Sequence, residues 1–181
     1  MRKNHQAIDH SVWGIRAGLS GQKSDAHELF IESSLMVLSK QDMDDLRLLP
    51  KERDAFYAAY GSRHPDEGSV AISGIGGKFF RFIHEVQLGD IVLYPCRLNK
   101  KIYFGEVVGR YFYDDSINKE FPHRRKVCWK GSFPKQALSE SARREIGAAR
   151  TFFRLTKHVE EFECLIAKNV ARERGRERVR A

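Results

Sequence analysis

The 181 residues carry 41% hydrophobic and 31% charged side chains, with 32 Lys and Arg against 24 Asp and Glu, a net charge of +8. At roughly 150 residues per domain this predicts one compact domain with a short tail, and it excludes a disordered, collagen-like or repeat chain. The positive balance points to a polyanion partner, nucleic acid first. The longest apolar runs, Ile91-Val-Leu-Tyr-Pro95 and Leu35-Met-Val-Leu38, fall far short of the ~20 residues of a membrane span. The opening Met1-Arg-Lys-Asn-His-Gln6 is polar and leads into no apolar leader core, so a cytoplasmic chain without a membrane partner is expected.

In chain order, residues 1–10 read as an N-terminal extension. Ser11 to Ala17 is a short strand, and 18–24 is rich in turn residues. Asp25 to Ser33 repeats apolar residues at helical spacing (Ala26, Leu29, Phe30), with Ser24 as its N-cap. Leu35 to Ser39 is a second strand, and Lys51 to Tyr60 a helix opened by Pro50 and stopped at Gly61. Gly74-Ile-Gly-Gly77 reads as a loop before a buried helix, Lys78 to Val86. Ile91 to Pro95 is a strand, Ile102 to Tyr113 a long second arm, and Arg124 to Gly131 a third strand. Ser139 caps a helix to Ile146, and an amphipathic helix begins near Lys157. Past Val170 the pattern dissolves into Arg172-Glu-Arg-Gly-Arg-Glu-Arg-Val-Arg180, a basic tail or linker over 167–181. Helices and strands mix without regular alternation, so the class is α+β.

Several chemistries lack their residues. Gly74-Ile-Gly-Gly-Lys-Phe79 is neither a dinucleotide fingerprint nor a P-loop, and no HExxH or GxSxG occurs. Cys96, Cys128 and Cys164 are scattered, without metal or disulfide spacing, and read as buried or half-buried thiols. No cofactor or metal is expected. Asp66 and Glu67 alone suggest a metal-dependent nuclease, and no acidic residue followed closely by lysine joins them on a plausible adjacent strand. The chain reads as a binder, not an enzyme.

The segment from Arg97 to Lys135 interleaves basic residues with Tyr103, Phe104, Tyr111, Phe112, Tyr113, Phe121, Trp129 and Phe133. Cations neutralise phosphate while aromatic faces stack on bases, the combination that grips an unstacked nucleotide. Lys100, Lys101, Arg124, Arg125, Lys126, Lys130 and Lys135 are the candidate backbone contacts. Alternation sends half of the rings into the core. Trp13 and Trp129, each near basic residues, are candidates for walls around a flipped base.

The ordered segments Ser11-Val-Trp-Gly-Ile-Arg-Ala-Gly18, Leu38-Ser39, Phe80 to Pro95, Ile102 to Gly109, Pro122 to Trp129 and Glu145-Ile-Gly147 carry a resemblance. Over about residues 11–165 the chain resembles the PUA-like superfamily, in particular the EVE and YTH readers of modified bases. It looks closest to the EVE-like N-terminal domains of Mrr-type modification-dependent restriction endonucleases. The resemblance implies a curved β-barrel flanked by short helices over 11–166, with a base pocket bordered by Trp13, Gly14, Arg16, Ser39, Lys40, Gln41, Tyr94 and Trp129. Lys40 stands where many relatives place Trp, and a lysine pairs with phosphate or a base oxygen. The expected partner is DNA with a modified base, in a restriction or defence system whose nuclease is another domain or subunit. An RNA-binding PUA-like protein and a small metal-dependent nuclease are the alternatives.

Overall fold

A computed structural model of the chain describes residues 10–18, 26–148 and 150–180, the last four of these as backbone. The N-terminal extension up to residue 9, most of the turn-rich stretch and the Ser24 cap with Asp25 lie outside the described residues. The elements are β1 (Val12–Ile15), α1 (His27–Ile31), β2 (Leu35–Leu38), α2 (Arg53–Gly61), α3 (Ser69–Phe80), β3 (Ile91–Pro95), β4 (Lys101–Val107), β5 (Phe112–Tyr113), β6 (His123–Pro134), α4 (Glu140–Ile146), β7 (Phe152–Leu155) and α5 (Val159–Arg180).

The strands form one sheet in the order β2-β6-β4-β3-β1-β7, with β5 also on β6. Among the described residues only β1 and β3 run parallel. The sheet curls into a half-barrel with helices on both faces, a mixed α+β domain. Strands β1 and β2 are buried at every position, which explains their unbroken apolar runs. On one face Trp13, Phe30, Met36, Tyr94, Val107 and Val127 pack under α1, α2 and α3. On the other, Val12, Leu93, Phe104, Phe133 and Phe153 meet α4 and α5 through Ile146 and Phe162.

Helix α3 and the turn that follows it reach β6 and β7. Its Phe79 packs on His123 of β6, with centroids 4.9 Å apart. Beyond its end Phe82 meets Phe152 of β7 at 5.4 Å. Residues 81–85 continue α3 as a π-helical turn. Arg125 explains that widening, because its guanidinium takes the carbonyls of Phe82 (2.8 Å) and Ile83 (2.9 Å).

Four expectations need correction. Gly74–Gly77 is not a loop but the interior of α3, and a Cβ at Gly76 would lie 2.8 Å from the Tyr57 ring and 2.9 Å from the Phe56 carbonyl. The glycines let α2 and α3 approach closely. The long arm to Tyr113 is broken into β4 and β5 at 108–111, where Val108 and Gly109 both donate to the Lys126 carbonyl. The tail does not dissolve, since α5 runs to Arg180 with residues 171–176 exposed. Cys128 and Cys164 are exposed; only Cys96 is buried. One strand, β7, has no counterpart in the sequence reading.

Candidate nucleic-acid interface

Of the expected pocket residues, Trp13 and Gly14 serve the core. The Trp13 ring is fully buried, stacks on Phe152 at 5.0 Å, and donates its indole N–H to Asp90 at 2.7 Å. A Cβ on Gly14 would come within 2.7 Å of the Phe153 ring, so glycine here admits Phe153 rather than a ligand. Arg16 donates to the Gly147 carbonyl at the end of α4, where the exposed carbonyls and the dipole favour a cation. Ser39 is buried at the end of β2.

Tyr94 and Trp129 do come together, on the concave face beneath α1. Tyr94 faces Tyr103 across β3 and β4 at 5.8 Å and meets Phe30 edge-on at 4.9 Å. Trp129 stacks on Phe30 at 6.1 Å and donates its N–H to the Phe30 carbonyl. Both therefore fasten α1 to the sheet. His27 joins the group, its Nδ1 3.1 Å from the Tyr94 hydroxyl and 3.7 Å from Cys96 Sγ. Tyr94 is buried, whereas His27, Tyr103 and Trp129 remain half-exposed. Those three rings can offer a face to a base.

Lys40 and Gln41 occupy the turn after β2. Gln41 and Asp42 hold the left-handed conformation, with φ of 42° and 56°. Lys40 reaches Tyr113 and Asp44, and the Tyr113 hydroxyl raises its pKa. Gln41 accepts a hydrogen bond from Lys78, a residue that the sequence reading placed only in a buried helix. Burial, then Arg81, brings the Lys78 ammonium down to about 7.

The expected backbone contacts divide. Arg124 and Arg125 are buried, at 4% and 3% exposure, so neither can touch phosphate. Arg124 bonds to the Phe121 carbonyl (3.0 Å) and Asp114 (2.9 Å). Arg125 adds the Gly109 carbonyl (3.2 Å) to its two bonds on the π-helical turn, and burial lowers its pKa to about 10. Lys130 pairs with Glu106. Lys100, Lys101 and Lys126 are exposed and Lys135 half-exposed; Lys100, Lys101 and Lys135 gather where β4 begins and β6 ends.

A stronger cationic feature lies elsewhere. Between α4 and β7 is a cleft of about 460 Å³ lined by Arg144, Glu145, Arg150, Phe153, Arg154 and Lys157, among others. Its acid is engaged, because Glu145 accepts the backbone N–H groups of Thr156 (2.8 Å), Lys157 (3.0 Å) and His158 (3.1 Å). Arg144 pairs with Glu140. Among the described residues Arg150, Arg154 and Lys157 have no acidic partner within salt-bridge distance. Among the described residues strand β7 pairs only with β1, and its Phe153 and Arg154 line the cleft. The sequence signal was the alternation Arg150-Thr-Phe152-Phe-Arg154, two cations around a phenylalanine pair.

A family model described as Domain of unknown function (DUF8426) matches residues 13–156. The chain belongs to that family. The DUF8426 match runs from Trp13 in β1 to Thr156 just after β7, so it takes in the sheet from Trp13 onward, the cleft strand and α1 to α4, while α5 lies outside it. Neither a curated protein nor a solved structure matches the chain. Among the described residues no group of three or more His, Cys, Asp or Glu is placed to hold a metal, and no helix is long and apolar enough to cross a membrane.

Proposed function

We propose that this chain is a nucleic-acid-binding module of the PUA/EVE kind, which reads a modified, flipped base in DNA as the sensor of a restriction or defence system. One observation carries the nucleic-acid reading: the cleft beside β7, where Arg150, Arg154 and Lys157 stand together while Glu145 is held by three backbone amides. Positive charge concentrated in excess of the acid beside it destabilises a compact chain by self-repulsion and attracts polyanions. The half-exposed rings of His27, Tyr103 and Trp129 support base stacking, worth ~1–3 kcal/mol per base. The ordered sequence resemblance to EVE and YTH readers supports modified-base recognition, and the curled sheet with helices on both faces is compatible with it.

The test is a binding panel of matched duplexes carrying cytosine, 5-methylcytosine, 5-hydroxymethylcytosine, adenine or N6-methyladenine, with RNA equivalents. Tighter binding to one modified duplex is the expected result. Equal affinity for all of them defeats the modified-base reading, and a preference for RNA moves the protein to the RNA-binding alternative, where the 2′-hydroxyl is the discriminating group.

A further inference from the structure

Lys78 is a cation that the fold buries without a counter-ion. It is 7% exposed, and its ammonium donates to Gln41 Oε1 and lies 4.6 Å from the centre of the Phe79 ring. An ammonium has three donors, and among the described residues these are the contacts it makes. The acids of the adjoining turn lie against other groups: Asp42 is 3.1 Å from the His64 ring, and Asp44 pairs with Arg63 (2.7 Å) and Lys40 (3.5 Å). The charged group that acts on Lys78 is Arg81, three residues on in the π-helical turn, and the titratable group facing it from the sheet is His123 on β6, which Lys78 disfavours as a cation. Burying an ammonium without a carboxylate is costly, and an apolar side chain would fill the position at lower cost.

Arg81 extends the pattern outward. Residues three apart on a helix stand on the same face, so Lys78 and Arg81 adjoin. Burial lowers the Arg81 pKa first, and Arg53 and Arg150 lower it further against the pull of Glu85. Arg150 lines the β7 cleft. The cations thus form a series from the cleft, Arg154 and Arg150, through Arg81 to Lys78.

We propose that Lys78, with Arg81 and the carboxamide of Gln41, binds a phosphate group of the nucleic acid whose backbone lies along the cleft. The site rests on the nucleic-acid reading above. Gln41 is half-buried on a turn of left-handed residues; rotation of its carboxamide exposes the ammonium and turns an N–H toward the anion. An anion restores the charged form of Lys78, whose pKa without ligand is about 7. Binding at mildly alkaline pH therefore takes up a proton.

The experiment is calorimetric titration of the whole chain with unmodified duplex DNA at low salt, at a pH about one unit above that value, in two buffers of different ionisation enthalpy. Wild type should take up a large fraction of a proton. Lys78→Met should abolish the uptake and weaken binding roughly tenfold to a hundredfold, the range for a lost hydrogen bond to a charged group. Lys78→Arg should restore affinity without the uptake. A thermal melt accompanies each variant, and Lys78→Met should melt at or above wild type because a buried amine that folding forces to give up its proton has gone. Unchanged affinity and uptake in Lys78→Met overturns this site alone, as does a Lys78→Met chain that unfolds while Lys78→Arg keeps the full uptake. A wild-type chain that binds no nucleic acid overturns the proposed function as well.

Discussion

Asp90 accepts the indole N–H of Trp13 at 2.7 Å, and the same carboxylate takes the backbone N–H groups of Ser11 (2.8 Å) and Gln87 (2.9 Å). It is 3% exposed, and these donors tie the start of β1 to the turn before β3. Trp13 is therefore a structural residue. Trp13→Phe should cost ~1–3 kcal/mol of stability by leaving a buried carboxylate oxygen short of a donor, and Trp13→Ala ~3–5 kcal/mol by opening a cavity. Denaturant melts beside a binding titration check this. Normal stability with lost binding in either variant would return Trp13 to the pocket.

Arg125 makes the corresponding prediction for the expected backbone contacts. Its guanidinium satisfies the carbonyls of Phe82, Ile83 and Gly109, holding the π-helical turn and the β4–β5 break against β6. Arg125→Lys keeps a cation but not the three-way fork. Each buried carbonyl left without a donor costs ~1–3 kcal/mol, so the variant should lose at least ~2 kcal/mol in urea melts. The salt dependence of DNA binding by its folded fraction should not change.

Much of the frame was readable from local pattern. Strands β1, β2 and β3 showed as apolar runs, and α4 showed through its cap, since Ser139 Oγ does accept the Ala142 N–H at 3.2 Å. What escaped depended on partners distant in sequence. Arg124 and Arg125 look like surface cations beside Lys126, yet Arg125 is buried and donates to carbonyls 42 and 43 residues away. Gly76 looks like a loop glycine until the Tyr57 ring is brought against it. Arg150 and Arg154 drew no reading at all, because the cleft exists only once β7 lies beside β1 and α4 has folded over its end. Lys78 read only as the first residue of a buried helix, and its missing counter-ion was not legible.

The cleft has a quantitative signature. Each phosphate neutralised on duplex DNA contributes ~0.9 to the slope of log affinity against log salt. Arg150→Ala, Arg154→Ala and Lys157→Ala should each flatten that slope by up to ~0.9, with little effect on the melt, since all three are exposed. Fluorescence anisotropy across a salt series measures it. A triple variant with the wild-type slope would remove the cleft from the interface and leave the exposed Lys100, Lys101 and Lys126 with the half-exposed Lys135 as the remaining track.

The last prediction concerns acid stability and centres on His123. The imidazole is fully buried, with Nδ1 2.9 Å from the Tyr111 hydroxyl and Nε2 3.1 Å from the Met43 carbonyl. A neutral ring with its proton on Nε2 satisfies both contacts, the hydroxyl donating to Nδ1. Protonating Nδ1 would reverse that bond and place a charge in the core near Lys78. Burial is the main cause of a pKa depressed from 6.5 to about 4. Between those values the unfolded chain binds the proton and the native chain does not, so stability falls as the pH drops through that window and levels off below about 4. The His123 share of the loss is about 3 kcal/mol. His84, also depressed chiefly by burial, adds to it. Below roughly pH 4 the carboxylates of Asp45, Asp114 and Glu161, all held below their ordinary values by hydrogen bonds, take over. Urea melts from pH about 7 down to about 4.5 should show the decline in wild type and a shallower one in His123→Gln. An NMR titration of the ring gives the direct check: a His123 resonance titrating near 6.5 in the native chain would refute the assignment.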